Sequence, residues 1–340
     1  MFVGRAWRVV GFGDPRAALR MEPVSWPPPP PGRLLVRVRA AGVGASDQLM
    51  LRGEFPGLAT PPFGIGEEVA GEVVATASSS RMRVGDRVMG VTPFAEGDGG
   101  YGEYAYVREE LTAKVPDALD DWQAAGFMIG FRITYAALVE RCPVQPGQTL
   151  LVLNAATGSG LAAVQLGAAL GATVVAVTGD DAELGLCRRF GAATGINHRR
   201  SDLVSAVNDL TGGRGADVVY DTVGGPLAET AARTLARHGR IALVGRSSGR
   251  AARLDPRDLL LGNLSVIGVF VGDASQAEDA GAWSELVRLA ADHRIVTPVG
   301  AVHDFDELPD VLAHWSVNRP GKAVVHVGGP VDDPAADEGP

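Results

Sequence analysis

The sequence predicts a mixed α/β chain in two parts: a β-rich, barrel-like front part and a doubly wound parallel sheet flanked by helices. Three observations carry this reading. Short β-rich runs separated by Gly/Pro turns occupy the chain up to about residue 122. From about residue 123 strand patterns alternate with helix patterns. One apolar run, QTLLVL at 148–153, passes through a small-residue turn directly into a helix.

In the front part, LLVRVR at 34–39, VAGEVVA at 69–75 and RVM at 87–89 read as strands. Turn signals at 11–15 and 97–100 separate them, and the prolines at 27–31 make 26–32 a stiff surface connection, because successive prolines cannot sit in a central strand. In the rear part, 148–153 is uniformly apolar, as a strand covered on both faces must be. A helix follows over 159–170, ended by Gly171, then a strand at 173–177 and a helix at 182–190, ended by Gly191. A helix around 202–210, a strand at 216–220, a helix at 227–236 and strands at 240–244 and 264–269 continue the alternation. A helix at 283–291 and a strand at 322–327 close the pattern, and the acidic, Pro/Gly-rich segment 329–340 is expected to be disordered.

Composition bounds the function. The chain has 340 residues, 46% hydrophobic and 21% charged, enough for two domains and a large core. Its apolar stretches are strand-sized, so no membrane-spanning helix is expected, and the opening MFVGRAWRVV lacks the apolar core of a signal peptide. Two cysteines, Cys142 and Cys187, cannot build a disulfide framework or a structural zinc lobe. A net charge of −9 disfavours nucleic acid and anionic lipid as partners. The expectation is a cytoplasmic protein acting on a small molecule. Lys114 and Lys322 are the only lysines among 31 basic residues, which reads as a GC-rich genome.

The strongest local motif is LLVLNAATGSG at 150–160. Such a turn lets backbone amides approach a pyrophosphate at a helix N-terminus. Gly158 and Gly160 are present, Thr157 stands where glycine is common, and Ala163 is small enough for helix–strand packing. Glycines also serve plain tight turns; the strand–turn–helix context favours dinucleotide binding. After the next strand, Asp180 and Asp181 either hold the ribose of NAD or simply favour a helix start.

Several segments in order carry a family likeness: AAGVGASD (40–47), GEEVAG (66–71), VGDRV (84–88), AATGSGLAAVQ (155–165), INHR (196–199), DTVGG (221–225), LLGNLSVIG (260–268) and RPGK (319–322). From about residue 2 to 328 the chain resembles the medium-chain dehydrogenase/reductase superfamily, in its zinc-independent quinone oxidoreductase (zeta-crystallin-like) branch. The resemblance implies a GroES-like catalytic domain over 1–122 and 270–328, a Rossmann cofactor-binding domain over 123–269, and a homodimer joined through the strand near 264–271. Zinc-dependent members carry Cys and His ligands at positions matched here by Gly44 and Glu67, with the third near Gly130, so no zinc is expected.

By match to family positions, Thr134, Gly245, Phe270, Val271 and Gly272 are placed at the nicotinamide. Thr157, Gly158, Ser159, Gly160, Gly179, His198 and Arg199 go to the pyrophosphate and adenosine end, and Ala156, Val244 and Arg246 are also counted as cofactor-binding. Asp47, Glu67 and Arg132 are the catalytic candidates lining the cleft, with Tyr101 and Tyr104 as further cleft residues. The family's front loop carries an Asn and two Tyr where this chain has Gly44, Leu49 and Phe55, so the phenol that donates a proton in related thioester reductases is missing. The implied activity is hydride transfer from NADPH, with NADH a close alternative, to a quinone or activated alkene. A different class stays open: a protein of this fold that binds nucleotide, or does non-redox chemistry, without reductase activity.

Overall fold

A computed structural model describes residues 1–78, 80–271, 276–315 and 319–328, with backbone only for 276–278. The expected disordered segment 329–340 and Gly272 lie outside the described residues. Three sheets organise the chain. Phe2–Val9 and Leu19–Trp26 form an antiparallel hairpin, joined by Phe63–Gly64. A second sheet runs in the order Val299–Asp304, Lys322–His326, Arg33–Val43, Glu68–Thr76, Arg87–Val91 and Thr112–Lys114, with Tyr104–Arg108 also paired to Arg33–Val43.

The third sheet is parallel throughout. Its order is Thr194–Asn197, Thr173–Thr178, Thr149–Leu153, Ala216–Asp221, Leu235–Leu243 and Ser265–Gly268. The first strand in sequence, Thr149–Leu153, lies between the second and the fourth, so strand order reverses beside it. In sheets of this kind ligands bind outside the carboxyl ends at such a reversal. Helix Gly158–Ala169 starts there. It is apolar all round because it is covered on both sides: Leu161, Ala163 and Val164 pack on the sheet core, while Ala162 and Leu166 join Phe127, Phe131 and Trp283.

The α/β class and the predicted rear strands match the structure, with two differences. The helix expected over 227–236 stops at Ala232, because Leu235 pairs with Ala216 and begins the next strand; sheet pairing overrides local helix propensity. Among the strands not expected are Phe2–Val9, Leu19–Trp26, Tyr104–Arg108, Thr112–Lys114, Thr194–Asn197 and Val299–Asp304. No described helix is long and apolar enough to cross a membrane.

One connection positions the site. The amide of Gly321 donates to the carbonyl of Ala156 at 2.8 Å, and Thr157 and Gly321 form an isolated parallel bridge. The final strand, Lys322–His326, therefore enters the second, mixed sheet directly from the glycine turn of the parallel one.

Candidate active site

The turn between Leu153 and Gly158 is built from small residues and one left-handed residue, Asn154 (φ 54°). Thr157 caps the helix: its hydroxyl accepts from the Gly160 amide at 3.3 Å and donates to the Asn154 carbonyl at 2.9 Å. The two glycines differ in role. A Cβ on Gly160 would stand 2.3 Å from the Asn154 carbonyl oxygen, so glycine is required there for the helix to close on the turn. A Cβ on Gly158 would meet nothing nearer than Lys322 Cδ at 3.6 Å. The amides of Gly158 and Ser159, first in the helix, have no intrahelical acceptor and can serve an anion.

The remaining cofactor candidates follow the carboxyl ends of neighbouring strands: Gly179 after Thr173–Thr178, His198 and Arg199 after Thr194–Asn197, Val244, Gly245 and Arg246 after Leu235–Leu243, and Phe270 and Val271 beyond Ser265–Gly268. Parallel register brings these ends to one edge, with Val177 beside Leu153, Asn197 beside Thr178 and Gly268 beside Leu243. Asp180 and Asp181 have structural work: Asp180 caps helix Asp181–Arg189 by accepting from the Ala182 amide, and Asp181 binds Asn197 and Arg200. The Arg199 guanidinium instead lies over Gly179, with Nε 3.0 Å from where a Cβ would be, and has no ion pair among the described residues. Burial and the adjacent Arg199 lower the pKa of His198 below its usual value.

Two expected residues are buried and already hold partners of their own. Thr134 is fully buried; its hydroxyl donates to the Gly130 carbonyl and shares a 3.1 Å hydrogen bond with the Tyr220 phenol. Arg132 is 4% exposed and spends its guanidinium on Asp279 at 2.7 Å and Glu140 at 3.1 Å. Its role is to tie helix Met128–Tyr135 to its neighbours, since a buried guanidinium requires such partners. Tyr104 is likewise structural, packed on Phe2 and Trp26.

Asp47 and Glu67 are brought together with Tyr101, already a cleft candidate, and with Ser46, Glu68 and Lys322, whose part sequence reasoning missed. Asp47, from helix Ala45–Arg52, accepts from the Gly44 amide and from the Tyr101 phenol, both at 2.8 Å, while its other carboxylate oxygen is buried without a partner. Ser46 donates to Glu67. Lys322 reaches in from the last strand to Glu68 at 2.6 Å. Its side chain threads a path of glycines: Cβ atoms on Gly126, Gly42 and Gly44 would lie 2.6, 2.9 and 3.9 Å from it. Burial pushes Asp47 up to about 6, and burial together with the Asp47 charge pushes Glu67 up to about 8. Burial opposes the charge on Lys322, but Glu68, Asp47 and Glu67 together outweigh it and hold the ammonium above its usual range. The signal available in the sequence was the rarity of lysine: Lys322 is one of two in a chain whose other basic residues are arginine.

Gly44 and Gly130 offer no ligand atoms, and the Lys322 ammonium stands 3.9 Å from the Cβ position of residue 44, where a cation would have to share the space. Among the described residues no three His, Cys, Asp or Glu side chains are grouped to hold a metal ion.

Comparison with known proteins agrees with this architecture. Residues 30–117 match the family model of the alcohol dehydrogenase GroES-like domain, and residues 158–292 that of zinc-binding dehydrogenase. The chain is 31% identical over 316 residues to quinone oxidoreductase-like protein 2 of Bos taurus, covering 92% of this chain and 89% of that protein. A probable oxidoreductase from Mycobacterium abscessus superposes with a TM-score of 0.85 at 31% identity, covering 96% of this chain and 99% of that one. A mycobacterial protein solved in complex with NADPH superposes with a TM-score of 0.83 at 27% identity, over 95% of this chain and all (100%) of that one. The chain belongs to the medium-chain dehydrogenase/reductase superfamily, among its quinone oxidoreductase-like members.

Proposed function

We propose that the protein is an NADPH-dependent, zinc-independent reductase that delivers hydride to a quinone or an α,β-unsaturated carbonyl compound. The observation that carries this reading is the single edge of the parallel sheet, where the Thr157–Gly160 helix start, Gly179 with Arg199, and the Val244–Arg246 turn all meet. When bound, the dinucleotide supplies the hydride. The amides of Gly158 and Ser159 would receive its pyrophosphate. Arg199, unpaired and over Gly179, would take a 2′-phosphate in a charge-assisted contact. The names of the relatives and the NADPH complex of a structural neighbour support the same assignment. Without a zinc donor set, an acceptor that is already electron-poor fits better than a simple alcohol or ketone.

The same reading includes a homodimer in the cytoplasm. Ser265–Gly268 is an edge strand, and Val266 (39% exposed), Leu260 (75%), Leu261 (61%) and Phe270 (71%) leave an apolar surface around it. Cys142 and Cys187 are free thiols, as a reducing compartment keeps them.

Steady-state oxidation of NADPH with a panel of quinones and enones tests the function. Turnover with members of either class supports it. Tight nucleotide binding with no turnover on any acceptor would replace it with the binding or non-redox role.

A further inference from the structure

The reductase reading leaves a proton unassigned. Hydride addition to a conjugated acceptor leaves an electron pair on its oxygen, and Phe55, packed edge-on against Phe94, has no phenol to give. We propose that Glu67 is the general acid of this reaction, with Ser46 connecting it to solvent; the proposal rests on the reductase reading above.

Geometry selects this carboxyl from three. Asp47, Glu67 and Glu68 come from the helix Ala45–Arg52 and the strand entry at 67–68, and among the described residues the one cation that reaches them is Lys322, its side chain 13% exposed. Three carboxylates against one ammonium in a dry pocket cannot all stay ionised, so the cluster retains a proton. Glu68 has its charge matched by Lys322 at 2.6 Å. The Asp47 anion receives two donors, the Gly44 amide and the Tyr101 phenol. Glu67 has Ser46 alone, so its anion is the least supported and the proton belongs to it.

Access selects the same residue. Asp47 and Glu68 are each 1% exposed, whereas Glu67 is 9% exposed. In front of it Gly44 leaves room: a Cβ there would touch Ser46 Oγ, Glu67 Oε2 and Lys322 Nζ at 3.4, 3.8 and 3.9 Å, which are contact distances without overlap. The pocket is also joined to the dinucleotide turn. Lys322 Cδ lies 3.6 Å from the Gly158 Cβ position, so one lysine side chain spans from the helix start to Glu68, the chain neighbour of the acid.

The step balances. With hydride supplied by the reduced dinucleotide, the electron pair displaced from the acceptor's double bond comes to rest on its oxygen. There a new O–H bond forms as the Glu67 O–H bond breaks. The acceptor is reduced by two electrons, the dinucleotide is oxidised by two, and the Glu67 carboxylate takes a proton back from water through the Ser46 hydroxyl. Lys322, facing the same space, stabilises the developing negative charge.

The experiment uses the full chain and Glu67→Gln, which keeps the shape of a neutral acid and so preserves folding, with Glu67→Asp as the conservative companion. Infrared spectroscopy of glutamate-labelled protein at neutral pH reads the protonated carboxyl directly. A band present in the wild type and absent in Glu67→Gln is expected. With NADPH and an enone, kcat of Glu67→Gln should fall roughly 100-fold, the usual scale for loss of a general acid, with KM and NADPH affinity nearly unchanged. Glu67→Asp should recover part of the loss, and wild-type kcat should decline as pH rises through the titration of Glu67. A wild type that turns over while Glu67→Gln matches it, or that lacks the infrared band, overturns the assignment alone. A wild type that binds NADPH but reduces no acceptor overturns both the assignment and the reductase reading.

Discussion

Lys322 holds Glu68 at 2.6 Å, and the two residues come from opposite ends of the chain to meet beside the dinucleotide turn. The pair is almost dry, with side-chain exposures of 13% and 2%. A charge pair so placed is costly to break, because the partner left behind has no water to turn to.

Lys322→Met should therefore destabilise the protein by about 3–5 kcal/mol, the range for stranding one member of a buried pair. Urea denaturation measures it. The double variant Lys322→Met with Glu68→Gln should recover much of the loss; equal stability of the single variant and the wild type would contradict a buried pair.

The pH dependence of stability has a definite sign. Glu67 is raised from 4.5 in the unfolded chain to about 8 in the folded one, so between these values the folded state binds the extra proton. Its contribution is complete below the unfolded value and is lost as pH rises through the folded one, at up to about 1.4 kcal/mol per pH unit for one proton. Asp47 adds to the same trend at lower pH, between 3.8 and about 6. Unfolding free energies followed across this window should fall for the wild type and flatten in Glu67→Gln.

Much of the rear half was readable from the sequence because its strands are unbroken apolar runs and its helices begin on Asp or Thr caps. The strand Phe2–Val9 was not, since FVGRAWRV shows no clean alternation and only its pairing with Leu19–Trp26 makes it a strand. Asp47 and Glu67 were recognisable as cleft candidates, yet Tyr101, which binds Asp47, and Lys322, which binds the neighbouring Glu68, are remote in sequence and no local pattern connects them. Arg132 shows the converse. Named as a cleft candidate, it is instead claimed by carboxylates that arrive from other elements.

Gly158→Val should weaken nucleotide binding at least tenfold, about 1.4 kcal/mol, by placing a branched side chain at the helix start. Calorimetry with NADPH reads this. Gly160 is a poor probe of binding, because any side chain there meets the Asn154 carbonyl at 2.3 Å and the fold gives way first.

Coenzyme preference should follow Arg199. The wild type is expected to use NADPH more efficiently than NADH, and Arg199→Ala should erode the difference by weakening NADPH alone, since the guanidinium can pair with a phosphate that NADH lacks. Comparable kcat/KM for the two coenzymes in the wild type would instead mean that Asp180, Asp181 and Glu183 dominate the local field.

Light scattering at micromolar concentration should return the mass of a dimer, and Val266→Glu should shift it to the monomer by placing a charge on the sheet edge. Metal analysis of the purified dimer should find no stoichiometric zinc, and a chelator should leave turnover unchanged.

The bond from Gly321 to Ala156 and the pairing of Lys322–His326 with Arg33–Val43 also bear on how the chain is made. During synthesis the ribosome releases the front strands first: Tyr104–Arg108 covers Arg33–Arg37, while Ala40–Val43 waits without its neighbour until the last strand emerges. Glu68 waits with it, a carboxylate without its cation. The front sheet is completed only after the parallel sheet has been translated, so a nascent chain short of Lys322 carries an open, adhesive edge that chaperones would have to shield.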